Sequence, residues 1–282
     1  MSKIVPLIIN FAPTGMLPVK TVTPYVPIHP SEIIEQTHAA YELGITIAHL
    51  HARKEDGTPT YKSSVYSEIF EGVRKHCPTL VISASLSGRD VHEVEKRIEV
   101  LQLKPDMGSL TLSSLNFHKQ ASINTPAVIT SLIKEMDKNG VHPELECFDA
   151  GMINYSKYLI EKKILKAPYY YNILCGNIAS SQADISYLGL MIKDLPEKSL
   201  WALAGLGKEQ LKMNTVAIAI GGGVRVGIED NIWYNSKQKT LATNIELVAR
   251  IHRIANEFER EIMSPKEFGN MGFYNKKNNN PI

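Results

Sequence analysis

The chain has 282 residues and a mass of 31.4 kDa; 44 % of its residues are hydrophobic, 21 % are charged, and its formal net charge is +2. These are ordinary globular values, and with Lys and Arg scattered rather than clustered they argue against a nucleic-acid partner. Three cysteines, Cys77, Cys147 and Cys175, have no CxxC spacing and are expected to be reduced thiols in a cytoplasmic protein.

The N-terminal apolar run contains Pro6 and ends at Pro13. It is too short to span a membrane and suits a buried first strand. From there, short apolar runs alternate with segments of helical periodicity. The predicted strands are Ile4–Phe11, Ile45–His51, Leu80–Ser85 and Asp106–Thr111, then Glu144–Asp149, Tyr169–Leu174, Ser199–Ala204 and Gly222–Gly227. Between them, stretches such as SEIIEQTHAAYELG and SVYSEIFEGVRKHC place apolar residues three and four apart. The last such segment, TNIELVARIHRIANEFEREI, is the clearest amphipathic helix.

Eight alternations give roughly 35 residues each, the size of a βα unit. The fold class is therefore α/β, a single-domain (β/α)8 TIM barrel over residues 1–263. A polar tail, 264–282, follows and is expected to be partly disordered. The rival, a doubly wound open sheet, calls for a glycine-rich phosphate loop after the first strand, where this chain has FAPTGMLPVKTVTPYVP. The prolines at 13, 18, 24, 27 and 30 make that connection stiff, able to wall off a site on the C-terminal face.

The strongest chemical signal is AHLHAR. His49 and His51 are two apart, so on a strand both rings leave one face, and at the C-terminal end of a barrel strand that face points into the mouth. Two imidazoles there can share a divalent ion, zinc best among those available. The alternative is a pair of structural histidines. At the end of the eighth strand, GGGVRVGIEDN brings Arg225, Glu229 and Asp230 to the mouth. Closure of the barrel puts this segment one strand away from the histidines, so Glu229 could complete a His2Glu set with an open fourth position. Weaker candidates share the strand ends: Ser85, Ser87 and Gly88; Ser109 and Thr111; Glu144, Glu146 and Asp149.

With HLHARKEDGTPTY, KPDMGSLTLSSLNF, PELECFDAGM, WALAGLG and GGGVRVGIEDNIWY in register, the chain resembles the β-keto acid cleavage enzymes. The resemblance implies a zinc-binding barrel, usually a homotetramer, that converts a β-keto acid and acetyl-CoA into acetoacetate and a new acyl-CoA. It implies His49, His51 and Glu229 as zinc ligands, and Arg225 with Asp230 as the catalytic dyad, Asp230 being the general base. Ser85, Ser109 and Thr111 match substrate-orienting positions, and Glu146 matches a pocket carboxylate.

Two departures matter. Where the lysine-fermentation member carries a carboxylate after the TG of the first loop, facing its substrate's ammonium, this chain has Leu17. Burying an ammonium beside leucine costs several kcal/mol, so the expected substrate lacks an amino group and is neutral or apolar. Also, SLSGRD stands where relatives often carry Thr-Gly-Gly, which places donors near the substrate carboxylate differently. Rival readings are a zinc hydrolase of the amidohydrolase type, a class II aldolase-like lyase, or an inactive ligand-binding barrel.

Overall fold

Each predicted strand is apolar on both faces and is followed by a helix, and such units are stable only when strands pair with strands and helices cover them. The computed structural model, which describes residues 5–89, 91 and 93–277, shows that arrangement. Strands β1 (Ile9–Phe11), β2 (Ile47–Leu50), β3 (Val81–Ala84) and β4 (Met107–Thr111) continue into β5 (His142–Cys147), β6 (Tyr170–Cys175), β7 (Leu200–Gly205) and β8 (Gly223–Val226). All pair in parallel, each with its sequence neighbours, and β8 pairs with β1 to close the barrel. Helices α1 (Pro30–Leu43), α2 (Ser63–His76), α3 (Val94–Glu99) and α4 (Pro126–Asn139) follow the first four strands; α5 (Ala150–Glu161), α6 (Ile185–Asp194), α7 (Gln210–Ala219) and α8 (Asn244–Glu257) follow the others.

Every predicted run overlaps one of these strands, and the sixth and seventh strands end one residue later than predicted. The first is the most shortened, to Ile9–Phe11, and Ile4 lies outside the described residues. The fifth begins earlier than predicted, so that His142 opens it. Helix ends follow local chemistry. Thr125 caps α4 by accepting from the Val128 amide, Pro126 fits its first turn, and Gly140 ends it in the left-handed region. At α8, Thr243 and Glu246 form a reciprocal capping box. Two small hairpins were not legible as strands: Ala52–Arg53 with Pro59–Thr60 after β2, and Leu115–Asn116 with Ala121–Ser122 after β4.

Alternation along the strands sorts the barrel interior into layers. The lowest is apolar, with Ile47, Val81, Met107, Tyr170 and Ala202. The next is polar, with Asn10, His49, Ser83, Glu144 and Asn172, all buried. Residues 264–277, read from sequence as the start of a polar tail, are folded against the lowest layer. Pro265–Phe268 form a short helix, and Phe268 stacks on Phe273 at 4.2 Å, both fully buried beneath the barrel. The count of Lys and Asn in that stretch masked two aromatic anchors. Its last residues, 278–282, to which the expectation of disorder chiefly applied, lie outside the described residues.

His142 opens β5 beside Phe273, and burial brings its imidazole down to about 4. Between that value and the unfolded value near 6.5 the unfolded chain binds a proton that the folded chain refuses. Stability therefore falls as pH drops through this window, by up to about 3 kcal/mol. Thermal melts from pH 7 to pH 4.5 should show a steeper decline for the wild type than for His142→Gln; parallel declines would refute the assignment.

Candidate active site and metal centre

The period of two along β2 sends His49 into the barrel, and His51, just past the strand, follows it. Glu229 arrives from the loop after β8, which only β1 separates from β2 around the closed barrel. Among the described residues these three form the group able to hold a metal ion. His49 Nε2 lies 3.2 Å from His51 Nε2, and Glu229 Oε1 lies 3.1 Å from His51 Nε2 and 3.9 Å from His49 Nε2. Ligands about 2.0–2.1 Å from a tetrahedral ion would be roughly 3.3 Å apart, so the observed triangle suits one ion. The second carboxylate oxygen of Glu229 is buried and has no hydrogen-bond partner, a group that a cation would satisfy.

The loops that carry these residues are tied together. Arg53, almost fully buried, donates from Nε to the Gly15 carbonyl at 2.7 Å, from Nη1 to the Gly57 carbonyl at 2.6 Å, and from Nη2 to the Pro18 carbonyl at 3.1 Å. The proline-rich first loop is thus fixed to the loop after β2. At Gly15, φ is +60°, and a Cβ there would stand 2.5 Å from Glu229 Cγ. Only glycine lets the first loop pass this close to Glu229.

Below the cluster, His49 Nδ1 donates to Glu144 Oε2 at 2.8 Å. That bond leaves Nε2 as the nitrogen facing the other ligands. Ser83 and Asn172 also donate to Glu144, and Asn10 Nδ2 does so at 2.7 Å. Burial opposes the Glu144 charge, but His49, Arg225 and these donors bring the carboxyl down to about 2. Burial likewise works against charge on His49, and the Glu144 and Glu229 carboxylates together outweigh it, raising the imidazole. For His51 burial prevails and its imidazole is lowered.

Arg225 is 2 % exposed and surrounded by carboxylates. Its Nη2 donates to Glu229 Oε1 at 2.6 Å, its Nε to Asp230 Oδ2 at 3.0 Å, and its Nη1 to Glu146 Oε1 at 3.4 Å. Burial penalises the guanidinium charge, yet Asp230, Glu229 and Glu146 hold it well above its usual value. Burial raises the Asp230 and Glu146 carboxyls against the pull of Arg225. Burial acts the same way on Glu229, but His51 and Arg225 overcome it and hold its carboxyl well below the usual range.

One cleft of about 200 Å³ gathers most of the predicted site: Leu17, His49, His51, Ser85, Thr111, Glu146, Arg225, Glu229 and Asp230. Thr111 Oγ1 donates to Glu146 Oε2 at 2.7 Å. Ser109 is the exception. It is not part of the cleft wall; its hydroxyl accepts from the Leu86 amide at 3.0 Å and supports the loop after β3. The sequence reading missed Glu144 as the partner of His49, Arg53 as the loop tie, and Arg89 and Phe117 in the wall. The R of HLHxR was a visible signal for the second; the others depend on contacts between distant segments. A larger cavity of about 650 Å³ opens at the opposite end of the barrel, but the charges facing it include an Arg74–Asp106 ion pair and, among the described residues, no metal-ligand set.

A closed β/α barrel whose mouth carries a His–His–carboxylate cluster beside a buried Arg–Asp pair defines a barrel enzyme with its chemistry at the C-terminal face. A family model described as beta-keto acid cleavage enzyme matches residues 6–271, and the chain belongs to that family. The 3-keto-5-aminohexanoate cleavage enzyme of Fusobacterium nucleatum is 35 % identical over 263 residues, covering 93 % of this chain and 95 % of the relative. The 3-oxoadipate:acetyl-CoA acetyltransferase of Cupriavidus necator is 34 % identical, covering 91 % of each. Among solved structures, the apo structure of ObcA superposes with a TM-score of 0.80 at 18 % identity, covering 89 % of this chain; this chain spans 66 % of ObcA. No helix among the described residues is long and apolar enough to cross a membrane.

Proposed function

We propose that the protein is a zinc-dependent enzyme that condenses a β-keto acid with acetyl-CoA and releases acetoacetate and a new acyl-CoA. The observation that carries this reading is the convergence of His49, His51 and Glu229 within reach of one ion, with the Arg225–Asp230 pair in the same cleft. Relatives named as acetyl-CoA transferases support acetyl-CoA as the co-substrate. Zinc held by His49, His51 and Glu229 supplies Lewis-acid polarisation of a substrate carbonyl.

In this reading, Asp230 takes a proton from the carbon between the keto and carboxylate groups, while Arg225 keeps the carboxylate aimed. The substrate carbanion adds to the acetyl-CoA thioester and expels the CoA thiolate. That thiolate attacks the original keto carbonyl, the adjacent carbon–carbon bond breaks, and the departing acetoacetate carbanion recovers the proton from Asp230. Ser85 and Thr111 orient the substrate. The cleft is smaller than the roughly 300–1,000 Å³ of drug-sized sites, which suits a small organic acid with the body of CoA outside.

We assign the substrate to β-keto acids without an amino group. Leu17 occupies the rim, and the carboxylate of Glu146 already accepts from Thr111 and Arg225. A panel of 3-keto acids with acetyl-CoA tests both points. Acetoacetate release should require both substrates, and kcat/KM for unaminated acids should exceed that for 3-keto-5-aminohexanoate by about 10-fold or more. No acetyl-CoA-dependent release with any acid would sink the function, and preference for the aminated acid would sink the substrate assignment. We also propose a cytoplasmic homotetramer. Three buried thiols support the compartment, and the exposed Ile178, Ile185, Tyr187 and Leu190, on and before α6, support association.

A further inference from the structure

Helices around a barrel turn one stripe inward and leave the rest to water, so their outer positions are normally polar. Helix α8 follows that rule and exposes Glu246, Arg253, Asn256 and Glu257. Helix α6, ISYLGLMIKD, does not. Leu188 and Met191 are buried in the core, while Ile185, Tyr187 and Leu190 stand 69, 50 and 57 % exposed. A helix that is apolar all round buries both of its faces, and this chain covers one.

Gly189 lies among these side chains and is also exposed. Its backbone is helical, and a Cβ built on it meets nothing within 4 Å, so neither conformation nor packing within one molecule calls for glycine. In a helix interior glycine is destabilising relative to alanine. What it permits is close approach by the backbone of another element. Ser186, three residues earlier, is likewise small and exposed.

Opposite charges stand at the two ends of this face. Lys193 is exposed and has no ion pair among the described residues, since the neighbouring Asp194 is taken by Lys157 of α5. Asp184, also exposed, caps the helix through Oδ1, which accepts from the Ser186 amide at 2.8 Å. Positions 184 and 193 are equidistant from the point between residues 188 and 189. An antiparallel copy crossing there sets position 193 of each helix level with position 184 of the other.

We propose that α6 packs antiparallel on α6 of a second copy of this chain, about a two-fold axis beside Gly189. Ile185, Tyr187 and Leu190 are buried between the copies, and Lys193 of each faces Asp184 of the other. The proposal rests on the association proposed above and names one interface of that assembly. A two-fold contact uses the same patch on both sides, and an apolar face with opposite charges at its ends is complementary to itself.

Sedimentation velocity of the full-length protein over a concentration series tests the interface. Wild type should associate, and Gly189→Leu should raise the dissociation constant by about 100-fold or more, because two bulky side chains then meet at the crossing. Circular dichroism should show native helix content in that variant, since leucine enters open space within one molecule. Lys193→Glu should weaken association by about fivefold, and adding Asp184→Asn, which keeps a capping oxygen, should recover most of the loss. Failure to recover would overturn the antiparallel pairing. Wild-type protein that stays monomeric throughout the series would sink the interface and the assembly together. An assembly that Gly189→Leu leaves unchanged would sink this interface and leave the assembly built elsewhere. If Gly189→Leu does not fold, Leu190→Arg decides, and wild-type association in it would overturn the proposal. None of these readouts depends on turnover, so failure of the keto-acid reaction leaves them unaffected.

Discussion

His51→Ala is expected to yield a folded barrel that no longer retains its metal. Zinc sites in proteins are worth about 10–16 kcal/mol, and with three protein ligands sharing that energy one ligand carries roughly 4 kcal/mol. Affinity should therefore fall by about 1,000-fold. His51 is the cleanest ligand to remove, because its ring bonds only to His49 and Glu229 within the cluster. Removing His49 would strand the fully buried Glu144 carboxylate, and breaking such a pair costs about 3–5 kcal/mol. Glu144→Gln gives an intermediate point. The histidine orientation loosens while all three ligands stay, and losing the carboxylate that orients a ligating imidazole costs about 10- to 100-fold in affinity. Metal content after dialysis against a graded chelator series reads both effects. Stoichiometric metal in His51→Ala would remove His51 from the ligand set and with it the proposed centre.

Asp230→Asn should leave metal content and fold intact while lowering kcat by about 1,000-fold, within the range for loss of a general base. Asn keeps the size of the side chain and one acceptor for Arg225, so Arg225 Nε retains a partner. KM for the keto acid should move little, because the proposed role of Asp230 is on the carbon–hydrogen bond rather than on the anionic end of the substrate. Exchange of the substrate's α-protons with deuterated solvent in the absence of acetyl-CoA isolates the step. Wild type should exchange and Asp230→Asn should not. Exchange at the wild-type rate in the variant would assign the base to another group. Arg225 is a poor target by contrast, since its loss would leave Glu146, Glu229 and Asp230 facing one another in a buried site.

The rival readings fare differently against the cleft. A hydrolase of the amidohydrolase type gathers further histidines around its metal, but His49 and His51 are the histidines that line this cleft among the described residues. His142, the histidine nearest the fifth strand in sequence, opens that strand at the other end of the barrel beside Phe273. An inactive scaffold has no reason to hold Glu229 Oε2 buried and unsatisfied beside two imidazoles. Such an arrangement costs stability unless something is bound there.

Residue order alone was enough to locate the strands, because parallel strands buried on both faces must be short apolar runs, and to face His49 and His51 the same way, because side chains alternate along a strand. Closure of the sheet then made Glu229 a neighbour of both without further information. Long-range packing set the rest: Glu144, 95 residues from His49, fixes that ring, Ser109 supports a loop instead of the cleft, and Arg53 ties two loops. Packing likewise brings residues 264–277 against the barrel floor and Arg89 over the Phe117 ring. These facts depend on the rotamers and loop paths of segments far apart in the chain, and residue type and spacing constrain neither.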